Sequence, residues 1–265
     1  MVPTQEIPKN WSLPDKKGKM EIFGFALFGV IINDLLYPQG GINEKGLCFD
    51  INGLPTVKFN GQKGSKWHSW FNWFDVLWNN RTVADIEKWF QIREIPAMSW
   101  NGGQFHFADS NGNAIIIGVG GDGNLAFTKK KSNNFLVSTN NNIANVENGY
   151  YPCTRYDKTV TMLEKIINER NLTVSACRDI LDAVHFEKRG VCETVYGNIF
   201  DLISKDIYVY SSHDFDRVVK FSLTEELRNP TLKAKQIKMK ILDENAYGYP
   251  GFEGIKIYPI PDLFT

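Results

Sequence analysis

The segment Phe105 to Gly118, FHFADSNGNAIIIG, constrains the fold more than any other stretch of this chain. Two runs of strand character are parted by Ser110-Asn111-Gly112, and Asn-Gly supplies the positive φ angles that a tight hairpin turn requires. A chain that joins its strands this way builds antiparallel sheet. Residues 21–30 and 46–52 also read as strands, and 124–128 and 134–139 continue the meander beyond the hairpin. Between these groups, the Trp-rich stretch 67–78 and TVADIEKWFQI at 82–92 read as two helices. Thr82 stands at the N-cap of the second, with Asp85 at its third helical position. Farther on, 154–169 and 173–185 carry apolar residues at helical spacing, while 195–203, 206–211 and 216–222 return to strand character. A short helix at 223–228 precedes a tail that reads as irregular. Strands joined by hairpins and alternating with pairs of helices predict an α+β fold, a four-layer αββα sandwich of antiparallel sheets covered by helices on their outer faces.

Composition narrows the function classes. Over 265 residues, 30 Lys and Arg balance 30 Asp and Glu, and 43% of the chain is hydrophobic, which excludes disorder, collagen and coiled coil. No internal repeat or linker is visible, so 1–265 reads as a single domain. Zero net charge gives no support to a nucleic-acid partner. The run Lys129-Lys130-Lys131 and the series Lys233, Lys235, Lys238 and Lys240 read as solvated faces. The longest apolar run, Ile22 to Ile32, is too short to span a bilayer and reads as a buried strand. Lys16, Lys17 and Lys19 precede it as they would a signal-peptide core, but no small-x-small cleavage site follows before Asn33. Cys48, Cys153, Cys177 and Cys192 are dispersed without a C-x-x-C pair, so neither a zinc ribbon nor a dense disulfide framework is implied. The compartment stays open, with a tilt towards cytoplasm, and oligomerisation is compatible with everything above.

Several segments could carry chemistry. The glycine string at 118–123 has strands on both sides, so it reads as a hairpin turn and not as a phosphate-cradling loop, which must open a helix. His213-Asp214-Phe215-Asp216 offers ligand types but no second cluster at metal-binding spacing, so no metal is expected. His68, His106 and His185 read as packed or surface histidines. The turn GGINEKGL at 40–47 precedes an apolar strand. In VSTNNN at 137–142 an asparagine amide could donate to a developing oxyanion, or the cluster could simply form an Asx turn. In CTRYD at 153–157, Arg155 could hold a carboxylate or carbonyl by its planar fork, or pair with a neighbouring acid. The aromatic stretch Trp67, Trp70, Phe71, Trp73, Phe74 and Trp78 has the spacing of a core-facing helix, with an acyl pocket as the rival reading.

Taken in order, GGINEKGLCFD at 40–50, FHFADSNGNAIIIG at 105–118, VSTNNN at 137–142, the Arg155 helix and ETVYGNIFDLISKDIYVY at 193–210 resemble the choloylglycine hydrolase and acyltransferase group of N-terminal nucleophile hydrolases, the linear-amide C–N hydrolases. The resemblance implies an αββα sandwich and hydrolysis or transfer of an acyl group held in an open-chain amide. It also implies an N-terminal cysteine nucleophile whose own α-amino group is the base, effective because an α-amine titrates near pH 8. Asn140 matches the family's oxyanion donor, Arg155 its arginine near the nucleophile, and Asn52 a second donor after the glycine-rich turn, loosely by one residue. No cofactor and no metal are implied, and the partner is a small-molecule amide. No cysteine precedes Cys48 and no arginine precedes Arg81, so the segment that carries the nucleophile is missing from these residues. Three alternatives follow: the nucleophile belongs to a segment upstream, the chain is a catalytically silent relative that binds a ligand, or Cys48 itself serves after cleavage.

Overall fold

The computed structural model describes residues 23–32, 35–64, 73–97, 102–188, 192–228, 235–238 and 252–258. Strands β1 (Phe25–Ile32), β2 (Leu35–Asn43), β3 (Cys48–Gly53), β4 (Gly103–Ala108), β5 (Ala114–Val119), β6 (Leu125–Lys129), β12 (Lys235–Lys238) and β13 (Phe252–Tyr258) form an eight-stranded antiparallel sheet. Its order is β12-β13-β1-β2-β3-β4-β5-β6. A three-stranded sheet, β11-β10-β9, is built from β9 (Tyr196–Asp201), β10 (Asp206–Ser211) and β11 (Val218–Ser222). β7 (Glu187–Lys188) and β8 (Cys192–Glu193) make a small separate pair. The helices are α1 (Trp73–Asn79), α2 (Val83–Ile92), α3 (Thr154–Asn168), α4 (Val174–Val184) and α5 (Leu223–Leu227). This is an α+β arrangement of antiparallel sheets with helices packed on them. No helix among the described residues is long and apolar enough to cross a membrane.

Alternation along the strands divides the large sheet into two faces. Phe25, Leu27, Phe49, Phe107, Ile115 and Ile117 point to one face and bury against Trp78, Ile86, Trp89 and Phe90 of α1 and α2. Ala26, Phe28 and Ile42 point to the other and bury against Ile207, Val209 and Leu223 of the small sheet and α5. Trp78 is therefore a core residue, edge-on to Phe25 at 5.9 Å between ring centroids. Trp67, Trp70 and Phe71 lie outside the described residues, as does His68. α4 lies against β9, and α3 packs beside α4.

Local signals explain the elements. Thr82 accepts from Asp85 N–H while Asp85 accepts from Thr82 N–H, a capping box that starts α2 where its pattern predicts. The Asn111-Gly112 turn closes the β4–β5 hairpin with Gly112 at φ +79°. The 118–123 glycines turn between β5 and β6, as expected from their flanking strands.

Three expectations fail. Residues 134–139 form no strand. Gly40 and Gly41 lie inside β2 rather than in a turn: a Cβ on Gly41 would stand 2.7 Å from the Ala26 carbonyl oxygen and 3.0 Å from Leu77 Cδ1, so the bare backbone lets α1 approach the sheet. The turn comes later, at 44–47. The tail is not wholly irregular either: β13 pairs antiparallel with β1 from Tyr258 opposite Phe25 to Phe252 opposite Ile31. Its partner is more than 200 residues away in sequence, a pairing no local pattern announces.

Candidate active site

The inner face of the large sheet changes character from β1 to β5. Over β1 and β2 it is apolar and covered by β10. On β3 and β4, alternation brings Cys48, Asp50 and Asn52, then Gln104 and His106, to that same face, because Phe49, Ile51, Phe105 and Phe107 take the other. Asp50 lies opposite His106 and Asn52 opposite Gln104 in the β3–β4 register. Solvent reaches the Asp50 side chain, yet burial pushes its carboxyl up to about 7. It is accessible to water on the polar part of this sheet face.

The segment 138–142 forms one wall. Gln104, fully buried, donates from Nε2 to the carbonyls of Thr139 at 2.8 Å and Asn141 at 2.9 Å, and its Oε1 accepts from Ile143 N–H. Asn142, also fully buried, donates to the Val119 carbonyl at 3.0 Å. Gln104 thus satisfies backbone groups at 139, 141 and 143 that no strand partner holds. Ser138 Oγ lies 2.9 Å from His106 Nδ1.

Held this way, Asn140 meets Arg155. Arg155 Nη2 donates to Asn140 Oδ1 at 2.6 Å, and Asn140 Nδ2 donates to the Gly53 carbonyl at 2.7 Å. A guanidinium on the amide oxygen polarises the amide and strengthens its remaining N–H as a donor. Arg155 also faces the Phe186 ring at 5.8 Å. Asn52, beside Gly53, has a buried Oδ1 with no partner. The structure thus brings Asn140 and Arg155 into contact and sets Asn52 one residue from the carbonyl that anchors them.

Cys153 stands at the N-cap of α3, its Sγ 3.3 Å from Thr139 Oγ1. Burial works against its thiolate, but the Thr139 hydroxyl, the Tyr156 N–H, the Arg155 guanidinium and the Arg155 N–H together bring its pKa below the ordinary value. Cys48 is the opposite case. Burial first, then the charges of Asp50 and Asp109, push it up to about 12 despite a hydrogen bond to the Ala108 backbone. A thiol at the start of β3 that stays protonated is a poor nucleophile, which argues against the Cys48 alternative.

Sequence reasoning missed Gln104, Asp50 and the His106–Ser138 contact. The signal for the first and last was present: polar residues alternating with Phe105 and Phe107 must face away from the apolar helices. His106, read as an isolated packed or surface residue, shares the sheet face of Asp50, and burial lowers its pKa to about 4. His185 stacks on His213 at 5.0 Å, and both reach Glu187. No group of three or more His, Cys, Asp or Glu among the described residues is placed to hold a metal ion.

No family model matches the chain, and no curated protein matches it by sequence. Solved structures do. An arginine-to-leucine variant of conjugated bile acid hydrolase from Clostridium perfringens superposes with a TM-score of 0.58 at 14% identity, over 90% of this chain and 82% of that one. A cysteine-to-alanine variant of the same hydrolase gives 0.54 at 14% identity, over 74% and 76%. Penicillin V acylase from Agrobacterium tumefaciens gives 0.48 at 12% identity, over 78% and 79%. The chain therefore shares the fold of conjugated bile acid hydrolase.

Proposed function

We propose that the protein is a hydrolase or acyltransferase acting on the C–N bond of a linear, non-peptide amide. The supporting observation is the relay Arg155–Asn140–Gly53, in which a charged donor polarises an asparagine amide at the end of β3. In this reading Asn140 donates to the tetrahedral oxyanion, Arg155 stabilises it electrostatically through Asn140, and Asn52 contributes a second polar contact. The nucleophile is an N-terminal cysteine supplied from outside these 265 residues, with its α-amine as base. The architecture is read as one four-layer αββα domain, the pair α1–α2 and the pair α3–α4 forming the outer layers. The chemistry needs only thiol, amine and oxyanion donors, so no cofactor enters it.

The test is the intact mass and N-terminal residue of the protein from its natural source, together with turnover of a panel of N-acyl amides. A cysteine at the N-terminus with measurable amide turnover is the expected result, and Asn140→Ala then lowers kcat by roughly 10²–10³-fold. A natural protein that begins at Met1 or Val2 and turns over no amide in the panel would replace this reading with a ligand-binding relative of the same fold.

A further inference from the structure

One face of β3 carries two acceptors that are short of donors. The Asp50 carboxylate accepts the Ile51 N–H at 2.6 Å, and among the described residues no lysine, arginine or histidine forms an ion pair with it. Two positions on, on the same face, Asn52 Oδ1 is buried without a partner. Strand geometry sets such positions roughly 7 Å apart. The surrounding strands bring no positive charge. Across on β2, Gly40 has no side chain, and a Cβ there would lie 3.8 Å from Asp50 Cγ. On β4, His106 is uncharged near neutral pH because burial lowers its pKa to about 4. On β3 itself, Cys48 stays a neutral thiol, its pKa pushed up to about 12. Ser138, on the wall, is uncharged. A carboxylate with no cation beside it and, two positions on, an amide oxygen with no donor are two acceptors on one sheet face that a ligand's donors can satisfy.

We propose that this face seats a protonated amine, so that the substrates of the site are open-chain amides carrying a primary or secondary ammonium group held between the Asp50 carboxylate and Asn52 Oδ1. The turnover part rests on the amide-hydrolase reading above; the binding part does not. An ammonium is all donor and no acceptor, which suits the Asp50 carboxylate and the unpartnered Asn52 Oδ1. Its bond to Asp50 is charge-assisted and carries most of the recognition. The Arg155 guanidinium on the wall repels a cation, which orients the ligand with its ammonium on Asp50 and its carbonyl towards Asn140.

The experiment titrates the protein with n-butylammonium chloride and, as a neutral match in size, 1-butanol, following the Asp50 carboxyl carbon by NMR. The expected result is saturable binding of butylammonium at pH 8 that lowers the Asp50 titration midpoint, with no such response to 1-butanol. Binding should weaken roughly tenfold or more at pH 5 and in Asp50→Asn, as loss of a charge-assisted bond requires, and less in Asn52→Ala. Of Cys48, Asp50 and His106, only Asp50 changes charge between those pH values. An Asp50 titration that butylammonium leaves unmoved in the unmodified protein, or equal affinity of Asp50→Asn with its fold intact by circular dichroism, overturns the proposal. If butylammonium shifts Asp50 while the natural protein hydrolyses no amide, the binding site stands and the hydrolase reading falls. Turnover of neutral amides with no response to butylammonium keeps the hydrolase reading and removes the ammonium site.

Discussion

At the scale of single residues, buried amides organise this molecule. Asn43, fully buried at the end of β2, donates to the carbonyls of Leu77 and Asn80 at 2.7 and 2.8 Å and accepts from the N–H groups of Lys45 and Leu47. It locks the β2–β3 turn to the end of α1 with every bond its amide can use on that side. Gln104 plays the matching part beneath the site. Gln104→Ala strands two carbonyls and should cost about 2–3 kcal/mol in urea unfolding, with Asn43→Ala at least as damaging. Equal stability of Gln104→Ala and the parent would show that the 138–142 wall holds itself. A second prediction concerns Cys153: Thr139→Val removes the hydroxyl at its sulfur, so the thiol should titrate at higher pH by absorbance at 240 nm. An unchanged titration would assign the lowered pKa to the helix N-terminus and Arg155 alone. Neither amide announces its role in the sequence. Asn43 sits in a turn motif where asparagine is common for local reasons, and only the approach of α1 gives it buried partners.

Elements were more legible, because caps and turns act over a few residues. The capping box at Thr82 and the Asn-Gly hairpin both follow from local hydrogen bonds and steric freedom, and both form where the sequence places them. The coupling between those elements does not follow locally. Asp109, 1% exposed at the end of β4, accepts from Asn111 and Asn113 N–H within its own hairpin and from Val83 N–H at the first turn of α2, at 2.8 Å. One carboxyl thus closes a hairpin and caps a helix on the face above it. Thr82→Ala should cost about 1 kcal/mol as a cap near the surface, and Asp109→Ala about 3 kcal/mol, since it leaves the buried Val83 N–H and two hairpin N–H groups unmatched. Equal costs for the two would mean that the Asp109 contacts contribute little. The missing strand at 134–139 is the converse lesson. Its apolar residues suggest a ladder, but none forms, and at its end the Thr139 carbonyl is taken by the Gln104 side chain of β4.

Across the whole molecule, Asp50 and His106 should nearly cancel in the response of stability to pH. Burial raises the folded pKa of Asp50 from 3.8 to about 7, so its contribution is present below pH 3.8 and is lost as pH rises through 7. Burial lowers that of His106 from 6.5 to about 4, so its contribution is present above pH 6.5 and is lost as pH falls through 4. Between about pH 4 and 6.5 the two slopes oppose. Relative to the parent, Asp50→Asn should make stability rise more steeply with pH in that window, and His106→Gln should make it rise less steeply or fall. Urea unfolding at pH 4.5, 5.5 and 6.5 checks this, and parallel curves for both variants would refute it. Deleting residues 229–265 removes β12 and β13 and leaves β1 as a bare sheet edge, so the shortened chain should lose cooperative unfolding or aggregate. The sequence by itself determined most of the element types and the antiparallel hairpin connections, because alternation, helical period, capping and turn chemistry are short-range, while Asn140 and Arg155 came forward as candidates through the resemblance to a family. Tertiary structure alone decided that β13 covers β1, that Gln104 supports Asn140, and that Asp50 and His106 meet on one sheet face. Those pairings join residues far apart in the chain, and only the packed sheets bring them within the few ångströms over which hydrogen bonds and desolvation act.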